Sequence, residues 1–530
     1  MLRKRPDIST ALSLALVLLV ALPAGAGPTG ERVVSGDVSV TRKGSKTRIV
    51  ASDKSIIHWV TFDIARGEKV RFVQPSHDST VLNRVLYASP TQIDGILRAN
   101  GQVYIVNPSG IYFGGEAVVD VGRLVAVAGN LGDHDFVAGI DRFRDLSGEV
   151  ENAGLLRGNE IALVGRRVAN HGRIESRNGS LLMIAGDEVW LGRHGSNVLV
   201  QIGVLANADG GAGPAVENTG VLDAGRGRVR MAAGDALGLA VRNHGTIRAR
   251  RIALEGGRVE VGGSLDASNA RAGRKGGVIA IRGDEIAVDD ALLDASGDRG
   301  GGKITIGGKV RGGGRHTARE TVVGPDAELR ADARERGDGG TVIVWADGNA
   351  RIDGVISARG GSEGGDGGFV ETSGKRHLAV SRAPDVTAPA GDGGTWLLDP
   401  ANVTIVEEIS PVLQGTERDL DEVADSPLGT PGPGDPRVVQ PVAGSSEVTA
   451  GVIVDALSGG TNVVVTTEQF LELGGQAGNI VVDAEIRVVE VERAGSATLS
   501  LLAANDIEVN QAIVNVAQDF TLNVELFAND

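Results

Sequence analysis

Short runs of alternating apolar and polar residues, punctuated by glycine, make up most of this chain. Gly276-Gly277-Val278-Ile279-Ala280-Ile281 sets one pattern, repeated at Gly301-Gly302-Lys303-Ile304-Thr305-Ile306 and Gly339-Gly340-Thr341-Val342-Ile343-Val344. The second glycines fall at 277, 302, 340, 368 and 394, with spacings of 25, 38, 28 and 26 residues. A second element is Asn-x-Gly followed by an apolar strand start. It occurs at Asn152-Ala153-Gly154, Asn170-His171-Gly172, Asn218-Thr219-Gly220 and Asn243-His244-Gly245. Asn and Gly tolerate positive φ, so each such pair predicts a turn feeding a strand. Few windows carry the apolar stripe of an amphipathic helix, which argues against an α/β fold.

Period-2 strands between glycine turns, recurring every 20–30 residues or so, predict a β-solenoid. Each coil would lay its strands on the previous coil, with Val, Ile, Leu and Ala stacked inward and small residues outward on a solvated face. Parallel crossovers are overwhelmingly right-handed, so the expected fold is all-β, a right-handed parallel β-helix with an N-terminal cap. At about 25 residues per coil the chain would form roughly 20 coils. At about 4.8 Å per coil the rod would be on the order of 100 Å long. Between Pro411 and Pro441 the prolines cluster, which excludes a regular strand and predicts a loop or linker. Alternation resumes at Val452-Ile453-Val454, so the C-terminal part is expected to be a loop-bearing continuation of the coils.

Composition narrows the function. The 530 residues contain no Cys, which excludes a disulfide scaffold, a thiolate zinc site and a cysteine nucleophile. A net charge of −15 argues against a general nucleic-acid binder, which needs a basic stripe. At the N-terminus Arg3, Lys4 and Arg5 precede an apolar run from Ala11 to Leu22, and Ala24-Gly25-Ala26 forms a small-residue cleavage site. This predicts a signal peptide over 1–26, with cleavage between Ala26 and Gly27. The run is too short for a membrane span, which takes about 20 residues. Only Phe470, Phe520 and Phe527 supply aromatics after Ala401, so no membrane barrel with aromatic girdles is expected there.

Residues 62–146 carry the most specific pattern. Phe62-Asp63-Ile64 is followed by Gln74-Pro75-Ser76, then Leu82-Asn83-Arg84-Val85. Gly101-Gln102-Val103-Tyr104-Ile105-Val106 then leads into Asn107-Pro108-Ser109-Gly110-Ile111. This block closely resembles the N-terminal secretion domain of filamentous haemagglutinin-like proteins, the exported partners of two-partner secretion. The family's Asn-Pro-Asn-Gly-Ile hallmark appears here with Ser109 in its third position. Its Asn-Pro-Asn-Leu motif is absent, and Gln74-Pro75-Ser76 lies in that region. The resemblance implies a right-handed β-helix, Sec export, and passage through a separate outer-membrane transporter with periplasmic docking domains. It implies that Asn107, Pro108, Ser109, Gly110 and Ile111, with Gln74, Pro75, Asn83 and Arg84, form a secretion motif. Members of that family are commonly adhesins, with some cytolysins and haem-binding proteins, so the resemblance points first to an adhesin-type product. The residues have a plainer reading too. Asn-Pro-Ser-Gly is good turn chemistry, and Asn107 and Gly110 fit a purely structural role. Asn83 and Arg84 fit either an Asn ladder with a solvated charge or an exposed docking contact.

Other motifs carry less. Gly297 to Lys303 matches Gly-x4-Gly-Lys, but Ile304 stands where a P-loop places Ser or Thr. Gly364-Gly365-Asp366-Gly367-Gly368 lacks the tandem repetition of a calcium-binding glycine repeat. Arg282-Gly283-Asp284 and Arg336-Gly337-Asp338 are natural turn material. His171 and His244 fall inside Asn-x-Gly turns, where exposure is expected. Asp284-Glu285 and Asp289-Asp290 read as solvated turn charges.

The sequence therefore predicts a non-enzymatic adhesin-like exoprotein, secreted or held at the cell surface after crossing periplasm and outer membrane. The expected partners are the Sec machinery, an outer-membrane two-partner secretion transporter and a host-surface or carbohydrate ligand. No nucleic acid, cofactor or metal is expected. The alternatives are a secreted β-helix enzyme acting on polysaccharide and a purely structural matrix protein. The expected domains are the signal peptide at 1–26, the secretion β-helix at 27–260 and glycine-rich solenoid repeats at 261–407. A proline-rich linker at 408–447 and further coils at 448–530 complete the chain.

Overall fold

The computed structural model describes residues 27–194, 197–202, 213–234, 239–314, 317–408, 446–467, 478–491 and 495–529. The predicted signal peptide, with Ala26, and all but the ends of the 408–447 segment lie outside the described residues. The chain is a right-handed parallel β-helix. Three strand faces repeat, here called A, B and C. Face A runs upward from Thr91–Ile93 through Ile111–Phe113, Glu149–Asn152 and Arg167–Asn170. Face B runs from Lys46–Ala51 through Lys69–Val73, Ile96–Ala99 and Val118–Asp120. Face C runs from Ser55–Trp59 through Thr80–Val85, Gln102–Val106 and Arg123–Val127, ending at Phe520–Ala528. Sixteen strands stack on face C among the described residues, fewer than the coil arithmetic predicted, because insertions between strands use up chain.

The first strands differ in direction. Val38–Lys43 pairs antiparallel with Lys46–Ala51, and Arg32–Ser35 pairs antiparallel with Ser55–Trp59. This cap blunts the lower edge of the rod, where an open parallel edge would template association. Just above it the core is aromatic: the rings of Trp59 and Phe62 meet edge to face at 5.7 Å, and Phe62 stacks on Phe72 at 6.4 Å.

The repeated glycines have a different cause from the one the sequence suggested. Gly154, Gly172, Gly220 and Gly245 do not adopt positive φ, and neither do the asparagines before them. Close approach makes them obligatory. A Cβ at Gly302 would lie 2.2 Å from the Gly277 carbonyl oxygen, and one at Gly340 would lie 2.3 Å from that of Gly302. At Gly368 and Gly394 the corresponding distances are 2.2 and 2.1 Å. The Gly-Gly repeat is thus a column of backbones stacked too tightly for any side chain, at the corner where face B passes into face C. The Asn-x-Gly corner between faces A and B is a second column. Asn152 Nδ2 donates to Asn170 Oδ1, Asn170 Nδ2 to Asn218 Oδ1, and Asn218 Nδ2 to Asn243 Oδ1, each at 2.7 Å. Asn243 Nδ2 closes the ladder on the Gly262 carbonyl at 3.1 Å. All four asparagines are fully buried.

The 38-residue spacing between Gly302 and Gly340 holds an insertion that folds back on face C. It lies over Trp345, whose ring would be struck by a Cβ at Gly308 or Gly312. Glu371, outward on face C but fully buried, accepts the Arg311 N–H at 2.8 and 3.1 Å and the Ser373 hydroxyl at 3.3 Å. Burial pushes its carboxyl up to about 7, against an ordinary value of 4.5. The folded chain therefore holds this proton more tightly than the unfolded one. The associated stability is fully present below pH 4.5 and is lost as pH rises through about 7. Glu371→Gln keeps an acceptor for Arg311 and removes the titration. It should stabilise the chain by about 1–2 kcal/mol at pH 8 and leave it nearly unchanged at pH 4.5, read from urea midpoints at the two pH values.

Candidate secretion surface

On the lower coils the strands of face C are apolar on both sides. In Arg123–Val127 every residue is buried, and in Gln102–Val106 all but the first. The inward residues join the core, while the outward ones (Leu82, Tyr104, Val106, Val125, Val127, Ala162, Val164, Leu182 and Ile184 among them) need a cover. An antiparallel four-stranded sheet supplies it, in the order Asn130–Leu131, Asp141–Arg144, Val189–His194 and Asn197–Ile202. The short helix Asp133–Ala138 adds Phe136, whose ring meets Tyr104 edge to face at 5.3 Å. The expectation of small outward residues on a solvated face fails here. The signal was in the sequence: Gln102-Val-Tyr-Ile-Val and Leu181-Leu-Met-Ile-Ala are continuous apolar runs, and a strand covered on both faces reads that way.

A buried charge network pins the sheet to the rod. The Tyr104 hydroxyl donates to Asp141 Oδ1 at 2.9 Å. The Arg123 guanidinium donates to Asp141 Oδ2 at 2.6 Å, to Glu160 Oε1 at 2.7 Å and to the Tyr104 hydroxyl oxygen. Burial opposes the charge on Arg123, but Tyr104, Asp141 and Glu160 outweigh it and hold its pKa above the ordinary value. Burial likewise raises the Tyr104 phenol. One coil lower, Arg84 pairs with Asp133 at 2.6 Å, donates to His58 Nε2 at 2.8 Å and to the Leu131 carbonyl. Burial, then the charge of Arg84, lowers the pKa of His58. Arg84 is therefore a tie between rod and sheet and not a solvated charge. Its neighbour Asn83 is fully buried, accepting the Trp59 indole N–H at 3.0 Å and donating to the Tyr104 carbonyl at 3.1 Å.

The Asn107–Ile111 segment forms the corner between face C and face A. Asn107 is fully buried and donates to the Ser89 carbonyl at 2.9 Å and to Thr91 Oγ1 at 3.0 Å. Its Oδ1 accepts the Ser109 N–H at 2.9 Å, an Asx turn that shapes the corner. Gly110 has φ +116, and a Cβ there would lie 3.1 Å from the Glu149 carbonyl. Pro108 and Ser109 are half-buried, whereas Ile111 is buried in the core. Gly110→Ala should cost about 2 kcal/mol through backbone strain alone, seen as a lowered thermal midpoint with an unchanged far-ultraviolet spectrum. One level down the same corner exposes Leu86 and Tyr87, by 62% and 61%. Gln74 is buried and donates to the Ser79 carbonyl at 2.7 Å, while Pro75 is exposed. Gly27 donates its N–H to Glu68 Oε2 at 2.9 Å.

The remaining motifs dissolve into turns. Arg282 pairs with Glu255, and Arg336 pairs with Glu363 at 2.7 Å. Asp338 Oδ1 accepts the Asp366 N–H at 3.0 Å, and Asp366 Oδ1 accepts the Asp392 N–H at 2.9 Å. Gly297 to Gly302 is part of the face B to face C corner and precedes a strand, not a helix. His171 and His244 are exposed, as expected. Asp289 is pushed up by burial, then by Asp326 and Asp290. The adjacent cavity is lined by Gly263, Asp290, Ala291, Leu292, Asp326 and Glu328, with no aromatic for a sugar ring. No group of three or more His, Asp or Glu among the described residues is arranged to hold a metal ion.

Comparison with known proteins places this geometry. The family described as TPS secretion domain matches residues 24–281. The crystal structure of the HMW1 secretion domain from Haemophilus influenzae superposes with a TM-score of 0.62 at 31% identity. That match covers 70% of this chain and 100% of the other. Two heme/hemopexin-binding proteins of Haemophilus influenzae are similar, one 29% identical over 211 residues and one 34% identical over 106 residues. The first match covers 37% of this chain and the second 20%. The chain spans only 23% and 11% of the lengths of those two proteins. A secretion domain of known structure matched over its whole length, on the coils that carry the Asn107–Ile111 corner and the docked antiparallel sheet, settles the assignment: the chain belongs to the filamentous haemagglutinin-like exoproteins and carries their N-terminal two-partner secretion domain.

Proposed function

We propose that this chain is the exported member of a two-partner pair. Sec carries it to the periplasm, and an outer-membrane transporter passes it to the cell surface or the medium. There the rod acts as a non-enzymatic, adhesin-like exoprotein. The observation that carries this reading is the full coverage of a solved secretion domain at 31% identity. The domain division proposed with it is a secretion β-helix at 27–260, glycine-rich coils at 261–407, a linker at 408–447 and further coils at 448–530. Cleavage after Ala26 would leave the new α-amino group of Gly27 beside the Glu68 carboxylate, whose Oε2 lies 2.9 Å from that nitrogen.

Within the motif the roles divide by exposure. Asn107, Gly110, Ile111, Asn83 and Gln74 shape the coils from inside. Docking falls to what is accessible at the same corner, Pro108, Ser109, Leu86 and Tyr87, with the Arg84-anchored sheet beside it; exposed Pro75 lies at the opposite end of the Thr80–Val85 strand. Exposed large apolar residues beside a polar turn are the expected anchors of a protein contact. The test is export in a reconstituted double-membrane host, with and without the transporter, for wild type and for Leu86→Ser/Tyr87→Ser. The expected result is transporter-dependent export that falls at least tenfold in the double variant while its thermal midpoint stays unchanged. Export without any transporter would overturn the two-partner reading. Transporter-dependent export indifferent to the double variant would overturn only the docking assignment.

A further inference from the structure

A chain of net charge −15 carries one long basic ridge. The register fixes where it lies. Asp223 pairs with Arg248, Arg248 with Asp266 and Asp266 with Asp294 on face B. Arg228 pairs with Arg251, Arg251 with Val278 and Val278 with Lys303 on face C. The residues between these rows therefore occupy one corner of successive coils. That corner presents Arg177, then Arg226, then Arg250, then Arg271, Arg274 and Lys275, then Arg299, all exposed. None of these side chains is ion-paired among the described residues. Arg251, also exposed, and half-buried Lys303 widen the ridge on the face C side.

The nearest carboxylates are already engaged: Glu175, which lines a surface pocket with Arg177, Asp120 and Asp223, pairs with Arg157 and Arg173. Asp223, Asp266 and Asp294 end the face B strands, and each accepts a backbone N–H of its own turn, from Gly225 at 3.0 Å, Ser268 at 3.0 Å and Ser296 at 2.7 Å. Asp298, the one carboxylate within these five corners, accepts the Gly273 N–H. In the next coils the same corner is neutralised: Arg334 meets Asp294, Arg336 meets Glu363 and Arg359 meets Asp332. The unpaired charge thus has a beginning and an end.

We infer that this ridge binds a linear anionic polysaccharide bearing sulfate or carboxylate groups, lying along the rod axis. This rests on the adhesin-like reading proposed above and names the chemical class of its ligand. Cations repeat at the rise of the coil, about 4.8 Å per level, so the five levels span about 19 Å and meet a polymer with charge repeated along its length. Guanidinium forks suit planar or tetrahedral oxyanions. No aromatic residue lies in the five corners, so the base-stacking platform that single-stranded nucleic acid uses is missing.

The test is titration of the purified full chain at about 50 mM salt with a heparin oligosaccharide, an alginate oligosaccharide and an oligothymidylate of matched charge number. The variant is Arg226→Ser/Arg250→Ser/Arg274→Ser/Lys275→Ser, and the control is Arg334→Ser/Arg336→Ser one corner further on. The expected result is salt-sensitive binding of one or both polysaccharides, weakened at least tenfold in the quadruple variant and less than twofold in the control. Heparin binding alone identifies sulfate as the recognised group, and alginate binding alone identifies carboxylate. Absence of binding, equal loss in both variants, or oligothymidylate binding as tightly as the polysaccharides would overturn the inference. Because the assay uses purified chain, its failure leaves the export reading standing.

Discussion

Replacing Arg123 with methionine should lower the unfolding free energy by about 3–5 kcal/mol. Methionine fills most of the volume but leaves Asp141 and Glu160 without their cation, and Asp141 is buried. The penalty is that of uncompensated buried charge rather than of a lost contact. Two further variants separate these causes. Asp141→Asn alone should be milder, because the Tyr104 hydroxyl and Arg123 keep an oxygen to bond. The triple change Arg123→Met/Asp141→Leu/Glu160→Met should recover much of the loss, since a well-packed apolar replacement of a buried ion network is often neutral. Urea unfolding followed by tryptophan emission reads both, because Trp190 lies on the docked sheet and Trp59 in the core below it. Arg123→Met with unchanged stability would mean that the network contributes nothing to holding the sheet.

Asn170→Leu should cost about 3 kcal/mol. Leucine has nearly the same size, so packing is largely preserved and the loss isolates the ladder. Two side-chain bonds vanish, from Asn152 Nδ2 and to Asn218 Oδ1, and both partners stay fully buried. Each orphaned polar atom costs about 1–3 kcal/mol. Asn243→Leu, at the upper end of the ladder, removes the acceptor of Asn218 Nδ2 and the donor to the Gly262 carbonyl and should cost about as much. Thermal midpoints of the two variants check this; a loss below about 1 kcal/mol in both would show that the ladder contributes little.

The fold was legible because a solenoid writes its period into the chain. Gly277, Gly302, Gly340, Gly368 and Gly394 mark one corner of five coils, and the Asn-x-Gly repeats mark another. Positive φ does not explain the Asn-x-Gly repeats, and close approach explains both, since a sequence shows which residue recurs and hides how closely the next backbone passes above it. The docked sheet was also missed, although doubly apolar runs such as Arg123–Val127 announced a second cover. Its own strands are short, and the segments that supply it, 130–144 and 189–202, are insertions without period. The Asn107–Ile111 corner was found as a motif, but its division into interior residues and a half-buried Pro108–Ser109 tip needed coordinates. Overall charge concealed the basic ridge: five stacked corners concentrate cations that lie up to about 120 residues apart in sequence.

The antiparallel cap at the lower end and the parallel stacking above it give the rod a direction of growth. Once the docked sheet has covered the lowest coils, every further level rests on the one below and asks nothing of the levels still to come. A chain delivered N-terminus first through a narrow passage can therefore crystallise coil by coil on its far side. Each completed coil makes backward slippage unfavourable by the energy of one interface. With no cysteine to oxidise along the way, the assembling rod can itself act as the ratchet that draws the remaining chain outward.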